Sequence, residues 1–267
     1  MKKILFILVS IIFITNINAQ FSTAPRICID PGHGGHEAAN DRYIPETGFW
    51  ESDANWAKAN YLKPMLTDLG ATVKITRNGN SDSDDLGLST RSQIANDFNA
   101  DYFHSIHSNG YNGTSNYTLM LFRGYDNDPV YDNSKVMGAI LADQIYATNR
   151  TTAKYNRGDW DFYNWGYQVG LGVLSGLQMA GTLSEGSFRD YIPESWRLMN
   201  GNYRKHEALA IARSFVQFFN ATPVVYGSIA GIVRDPSETV TYYHFAGSDA
   251  YKPVNNLVIT LQPGNRV

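Results

Sequence analysis

The chain predicts an α/β domain, a mainly parallel twisted sheet flanked by helices and followed by a short β-rich tail. Three observations lead there. Ile27, Cys28 and Ile29 form a continuous apolar run bounded by turn residues, as in a strand covered on both faces of a parallel sheet. Strand and helix patterns then alternate up to residue 219. Beyond Ala221 the composition shifts to valine, tyrosine and threonine without helical spacing. About 200 residues precede that shift, enough for one buried core.

At the start, Lys2 and Lys3 precede an apolar run that ends in Asn18-Ala19, the pattern of a cleaved export signal over residues 1–19. The run from Ile4 to Ile14 is shorter than the roughly 20 apolar residues of a spanning helix. The expected destination is periplasmic or extracellular, with the mature chain starting at Gln20 and no transmembrane segment left. Without Lys2 and Lys3 the chain has 20 basic and 25 acidic residues, a net charge of −5, which argues against nucleic acid as a partner. Cys28 is the only cysteine, so no intrachain disulfide can form and stability must come from the core. Aromatics are 13% of the chain, 17 of them tyrosines, a composition suited to stacking on sugars or other amphipathic ligands.

The first strand stops in the Pro/Gly turn of ICIDPGHGG, Ile27 to Gly35, which carries His33. Ligands of open α/β sheets sit beyond the carboxyl ends of the strands, so His33 is either a site residue or an incidental member of a tight turn. Residues 36–50 read as a loop. A helix follows from Glu51, with Ala59, Leu62, Leu66 and Leu69 on one face, Pro64 as a kink and Gly70 as a stop. Glu51 in its first turn suits the helix dipole whatever its job. Thr72 to Thr76 alternates as a second strand, and a helix capped by Ser89 presents Ile94 and Phe98. Asp101 to Ile106 is the third strand and delivers His107, Ser108 and Asn109 at its end. His104 points to the opposite face from His107, and within the strand it reads as a packed histidine.

Tyr117 to Phe122 is a further strand, and Ser134 to Ala147 a helix with Val136, Ile140, Leu141 and Ile145 on one side. Tyr155 to Gln168 mixes tryptophan, tyrosine and phenylalanine with aspartate, asparagine and glycine at no clean period, and reads either as a binding loop or as an aromatic-packed surface excursion. Gly181 to Leu183 approaches another strand end and delivers Glu185. A long amphipathic helix from Tyr203 to Phe219 closes the domain.

His33, Glu51, His107 and Glu185 can meet only if the fold brings the strand ends together. Two histidines and one carboxylate are then the protein donors of a catalytic zinc site that leaves a fourth position open, and Glu185 remains as the acid/base. A rival set pairs His33 with His36 and His104 with His107, but strand alternation separates the second pair. There is no G-x-S-x-G elbow, P-loop or G-x-G-x-x-G fingerprint, and Cys28 is expected to be buried.

Together the motifs resemble the zinc-dependent N-acetylmuramoyl-L-alanine amidases, of the amidase 3 type, that cleave bacterial cell-wall peptidoglycan. The resemblance covers roughly Arg26 to Phe219 and rests on IDPGHGG (Ile29 to Gly35), Glu51 opening a helix, ITR (Ile75 to Arg77), IANDFNADYFHSIHSN (Ile94 to Asn109) and TLSEGSF (Thr182 to Phe188). It implies zinc held by His33, Glu51 and His107, with Glu185 as the catalytic carboxylate. The implied reaction is hydrolysis of the amide between the lactyl group of N-acetylmuramic acid and L-alanine. Departures are His36 after the turn, a longer aromatic segment, and a less apolar Gly186-Ser187-Phe188. Two other functions fit the same residues, a non-catalytic wall-binding protein and a zinc peptidase acting on wall peptides.

The domain organisation expected is therefore a signal at 1–19, a catalytic domain at 26–220 and a β-rich tail at 221–267. The tail resembles the first strands of carboxypeptidase-regulatory-like β-sandwich modules, although its 47 residues fall short of the roughly 100 of such a sandwich. The other reading is a terminal extension packed on the core.

Overall fold

The computed structural model describes residues 21–37, 42–164, 166, 169–221, 231, 233–240 and 247–254. The expected signal at 1–19 lies outside them, as do most of the tail's GSIAGIVRD and PVNNLVITLQPG runs. In chain order, β1 (Arg26–Pro31) leads through the hairpin β2 (Tyr43–Ile44) and β3 (Phe49–Trp50) into α1 (Glu51–Asp68). Then come β4 (Thr72–Ile75), α2 (Leu88–Asp97), β5 (Tyr102–Asn109), β6 (Thr118–Phe122) and the ribbon β7 (Gly124–Tyr125) and β8 (Asp128–Pro129). The domain continues with α3 (Asp132–Asn149), β9 (Lys154–Gly158), α4 (Asp159–Phe162), α5 (Gly172–Ser175), β10 (Gly181–Phe188), α6 (Ile192–Met199) and α7 (Gly201–Phe218). In the tail, β11 (Arg234–Thr239) pairs antiparallel with β12 (Tyr251–Pro253).

The main sheet has the order β4-β1-β5-β10-β6-β9. Every neighbouring pair is parallel except β10 with β6. The α/β class and the mainly parallel sheet are therefore as expected. Alternation along the strands divides the core. Ile27, Ile29, Tyr102 and Ile106 pack with Leu62 and Leu66 of α1, Leu141 and Ile145 of α3, and Ile211 and Phe215 of α7. Cys28, Phe103 and Leu183 face the other way, onto Ala95 of α2 and Val173 and Leu174 of α5.

Several elements differ locally from their expected form. Residues 43–50 close a hairpin rather than an open loop, with Tyr43 opposite Trp50. Gly87, not Ser89, is the N-cap of α2, so Ser89 lies inside the first turn. On α3 the buried stripe runs through Met137, Leu141 and Ile145 while Val136 is 52% exposed, one position off the stripe. Residues 155–158 belong to β9 rather than to a loop, because register with β6 gives their backbone partners that local composition does not reveal.

One charged pair lies wholly inside the core. Lys58 Nζ is 2.7 Å from Glu207 Oε1, both side chains are fully buried, and Asn149 Nδ2 donates to Glu207 Oε2 at 3.0 Å. Removing one charge strands the other in an apolar medium, whereas replacing both with apolar groups does not. Lys58→Met should therefore lose about 3–5 kcal/mol in urea unfolding. The double variant Lys58→Met, Glu207→Leu should recover most of that loss. A single variant as stable as the double would show that the pair is not coupled.

Candidate metal centre and catalytic cleft

The carboxyl ends of β1, β4 and β5 are drawn together by Asp30, a fully buried carboxylate at the end of β1. It accepts from Thr76 Oγ1 at 2.6 Å, from Ser105 Oγ of β5 at 2.7 Å and from Arg91 Nη1 of α2 at 2.9 Å. Burial alone would raise this carboxyl, but Arg91 and the two hydroxyls hold it below the usual carboxylate range. Arg91 also donates to the carbonyls of Pro31 and His33, and Arg77 to that of Pro31. These bonds fix the turn in which His33 adopts a φ of +63°, a left-handed conformation uncommon for a residue with a side chain.

The turn brings His33 onto α1 and β5. His33 Nε2 lies 3.3 Å and His107 Nδ1 3.2 Å from the same oxygen, Glu51 Oε1. The two imidazoles meet edge to face at 4.6 Å between centroids, and one donor atom from each of His33, Glu51 and His107 falls within 4.8 Å of the others. Gly32 makes this approach possible, since a Cβ there would sit 2.1 Å from the His107 ring. Glu51 Oε1 also accepts from Ser108 N at 2.9 Å and from Asn55 Nδ2, one helical turn along, at 3.3 Å. Arg189 Nη1 stands 3.4 Å from Glu51 Oε2 and donates to Ser108 O at 2.6 Å. Burial pushes the Glu51 carboxyl up, yet His33, Arg189 and the hydrogen bond from His107 hold it well below the usual range. Burial lowers His33 to about 4, so its ring is neutral at ordinary pH despite the pull of Glu51.

Glu185 sits inside β10, in register with His107, rather than just past a strand end. A bulge between Glu185 and Phe188 breaks the register after it. Gly186 is needed there, because a Cβ would come within 2.5 Å of Glu207. Burial raises the Glu185 carboxyl to about 7, and Glu51 adds to the rise while His107, Arg189 and Lys58 oppose it. Its buried Oε2 has no hydrogen-bond partner among the described residues, a costly state for a carboxylate unless a ligand completes it.

All four residues line one cleft of about 310 Å³, together with Arg42, Arg189, Leu88, Tyr163, Leu171 and Val173. The alternative ligand pairs do not assemble. His104 faces the opposite side, fully buried, with Nδ1 at 3.0 Å from Thr182 Oγ1, and burial lowers it to about 3. His36 stacks on Trp50 at 4.8 Å and pairs with Asp53 at 2.8 Å. Cys28 is buried, and burial pushes its thiol up, away from nucleophilic chemistry. Of the described residues in the aromatic segment Tyr155 to Gln168, Tyr163 reaches the cleft, while Tyr155 and Trp160 pack against Tyr117 and Tyr125. Trp165, Tyr167 and Gln168 lie outside the described residues.

The sequence reading passed over Asn55, Arg42 and Arg189. Asn55 had a readable signal, a polar residue four positions after Glu51 on one helix face. Arg42 and Arg189 had none, since only the packing of their loops directs them to the cleft.

The fold and the cleft define an α/β domain with a His-Glu-His donor cluster and a free carboxylate at the carboxyl ends of a mainly parallel sheet. The N-acetylmuramoyl-L-alanine amidase family model matches residues 27–216, and the chain belongs to that family. It is 36% identical over 89 residues to the N-acetylmuramoyl-L-alanine amidase CwlM of Bacillus licheniformis, covering 33% of each chain. It is 24% identical over 206 residues to an uncharacterized cell wall amidase of Bacillus anthracis, covering 75% of this chain and 36% of that one. The chain thus spans about a third of the length of the curated relatives it matches. Among solved structures, the catalytic domain of the amidase CwlV from Bacillus (Paenibacillus) polymyxa has the same fold, with TM-score 0.61, 21% identity and coverage of 73% of this chain and 98% of that one. The amidase AmiC2 of Nostoc punctiforme matches similarly, with TM-score 0.61, 22% identity and coverage of 73% and 97%.

Proposed function

We propose that this protein hydrolyses the amide between the lactyl carbonyl of N-acetylmuramic acid and L-alanine in peptidoglycan, using a zinc ion held by His33, Glu51 and His107. The observation that carries the reading is the gathering of those three donors within 4.8 Å beside Glu185, whose Oε2 is buried without a partner. The residues fit zinc on chemical grounds. Two imidazoles and a carboxylate are its usual catalytic ligands, and ligands must be deprotonated, as the lowered Glu51 and His33 are. When bound, zinc supplies Lewis-acid polarisation of the carbonyl and acidifies water to a pKa of about 7.

Glu185 carries the protons. As the carboxylate it accepts one from the attacking water while the new carbon–oxygen bond forms, and it returns that proton to the nitrogen as the carbon–nitrogen bond breaks. Asp30, Arg77 and Arg91 hold the His33 turn, and Asn55 and the Ser108 amide orient Glu51. The step from water needs Glu185 deprotonated, so kcat/KM should fall as pH drops through its pKa. That group titrates near 7 without a metal, and an adjacent divalent cation favours its ionised form. The acidic limb of the pH profile should consequently lie below pH 7, and a limb above 8 would exclude Glu185 as the base.

Residues 1–19 act as an export signal and 26–220 as the catalytic domain, which makes the protein secreted or wall-associated. Among the described residues no helix is long and apolar enough to cross a membrane. The tail belongs with the domain through Asp249, which accepts from Tyr191 Oη at 2.9 Å and pairs with Arg197 of α6. That contact favours a packed extension, and a module beginning in the same residues is the other outcome.

Mass spectrometry of peptidoglycan digests tests the reading. Stem peptides that begin with L-alanine, released with zinc and not with chelator, are expected. Cleavage within the stem would make the protein a peptidase, and binding without products would make it a wall-binding protein.

A further inference from the structure

Two guanidiniums, those of Arg42 and Arg189, line the cleft beside the donor cluster. Arg189 is braced by Ser108 O and Glu51. Arg42 is tied by its backbone, its carbonyl accepting from Glu51 N at 3.1 Å at the start of α1. Its side chain is 27% exposed, it stands 3.6 Å from Asp85, and the Glu51 carboxylate attracts it as well. Asp85 also stands 3.2 Å from Arg91, so its charge is divided between two cations. A guanidinium carries five donors in a planar fork, more than one ion pair at 3.6 Å engages, and that of Arg42 borders the cleft.

We propose that Arg42, with Arg189 near it, binds a carboxylate on the peptide side of the scissile amide and so selects acidic stem peptides. This inference rests on the amide-hydrolase reading above. On the sugar side of the bond, the lactyl carboxyl is consumed in the amide and the acetamido group is neutral. An ionised carboxylate close to the bond therefore belongs to the peptide. An arginine fork matches carboxylate geometry in a way that a lysine cannot. The apolar lining from Leu88, Leu171 and Val173 suits the uncharged lactyl and alanyl methyl groups.

The test uses two muramoyl-L-alanyl dipeptides that are identical except for a free carboxylate or its primary amide on the second residue. A charge-assisted pair corresponds to about 10- to 100-fold, so the wild type should favour the acid by that factor in kcat/KM. Arg42→Gln should bring the ratio to within about threefold, and Arg42→Lys, which keeps the charge but not the fork, should fall between. A wild type without preference, or an unchanged ratio in a folded Arg42→Gln protein, overturns the proposal. If the wild type cleaves neither dipeptide, the amide-hydrolase reading fails on its own account. Equilibrium binding of the same two compounds then decides the carboxylate contact. Tighter binding of the acid that disappears in Arg42→Gln supports it, and equal binding overturns it.

Discussion

Glu185→Gln is expected to lower kcat on peptidoglycan by about 10²- to 10⁴-fold, the range that a positioned general acid or base contributes. The amide keeps the size and the hydrogen-bonding reach of the carboxylate but cannot accept the proton from water. KM should change little, because Glu185 acts in the transition state rather than in binding. Glutamine also removes an ionisable group from a buried position, so the variant should fold at least as stably as the parent. The decisive measurement is kcat and KM on a soluble muramoyl peptide, with thermal unfolding as the control. A folded variant that keeps more than a tenth of the wild-type kcat would remove Glu185 from the mechanism.

Stripping the metal with a chelator should abolish turnover, and zinc should restore it. Stability gives an independent readout. An ion that binds the folded chain alone stabilises it by about 2.7 kcal/mol at 100 times its dissociation constant. A domain of this size registers that as a rise in Tm of roughly 5–10 °C. His107→Ala breaks the cluster of three donors and should show neither the rise nor the activity. An equal zinc-dependent rise in the wild type and in His107→Ala would place the ion elsewhere. Thermal scans of both proteins with and without zinc separate the two cases.

The sequence alone determined the fold class and the candidate residues, and it did so through short-range physics. The unbroken apolar run at Ile27 to Ile29 marks a strand covered on both faces, as β1 is. Strand alternation separates His104 from His107 without reference to any distant residue. Chemistry-bearing residues at strand ends identify His33 and His107 because that is where an open sheet leaves room for a ligand. What depended on long-range contacts was legible only in part. Residues 155–158 carry aromatic and polar side chains in no regular order, and pairing with β6 makes them a strand. Val136 and Met137 are neighbours of similar hydropathy, and only the packing of α3 on the sheet sends one outward and the other into the core.

The site divides along the same line. Sequence supplies two imidazoles and two carboxylates and the expectation that they meet. Tertiary structure decides how, through the Asp30 network that draws three strand ends together and through Gly32, whose missing side chain admits the His107 ring. It also decides the chemical difference between the two glutamates. Glu51 has His33, His107, Arg189, Asn55 and a backbone amide around it and stays ionised, whereas Glu185 is buried with one oxygen unpartnered and rises to about 7. The same residue type thus takes two roles. A side chain's identity sets what it can do, and its charge state depends on desolvation and on neighbours dozens of residues away in the chain, which exist only once it has folded.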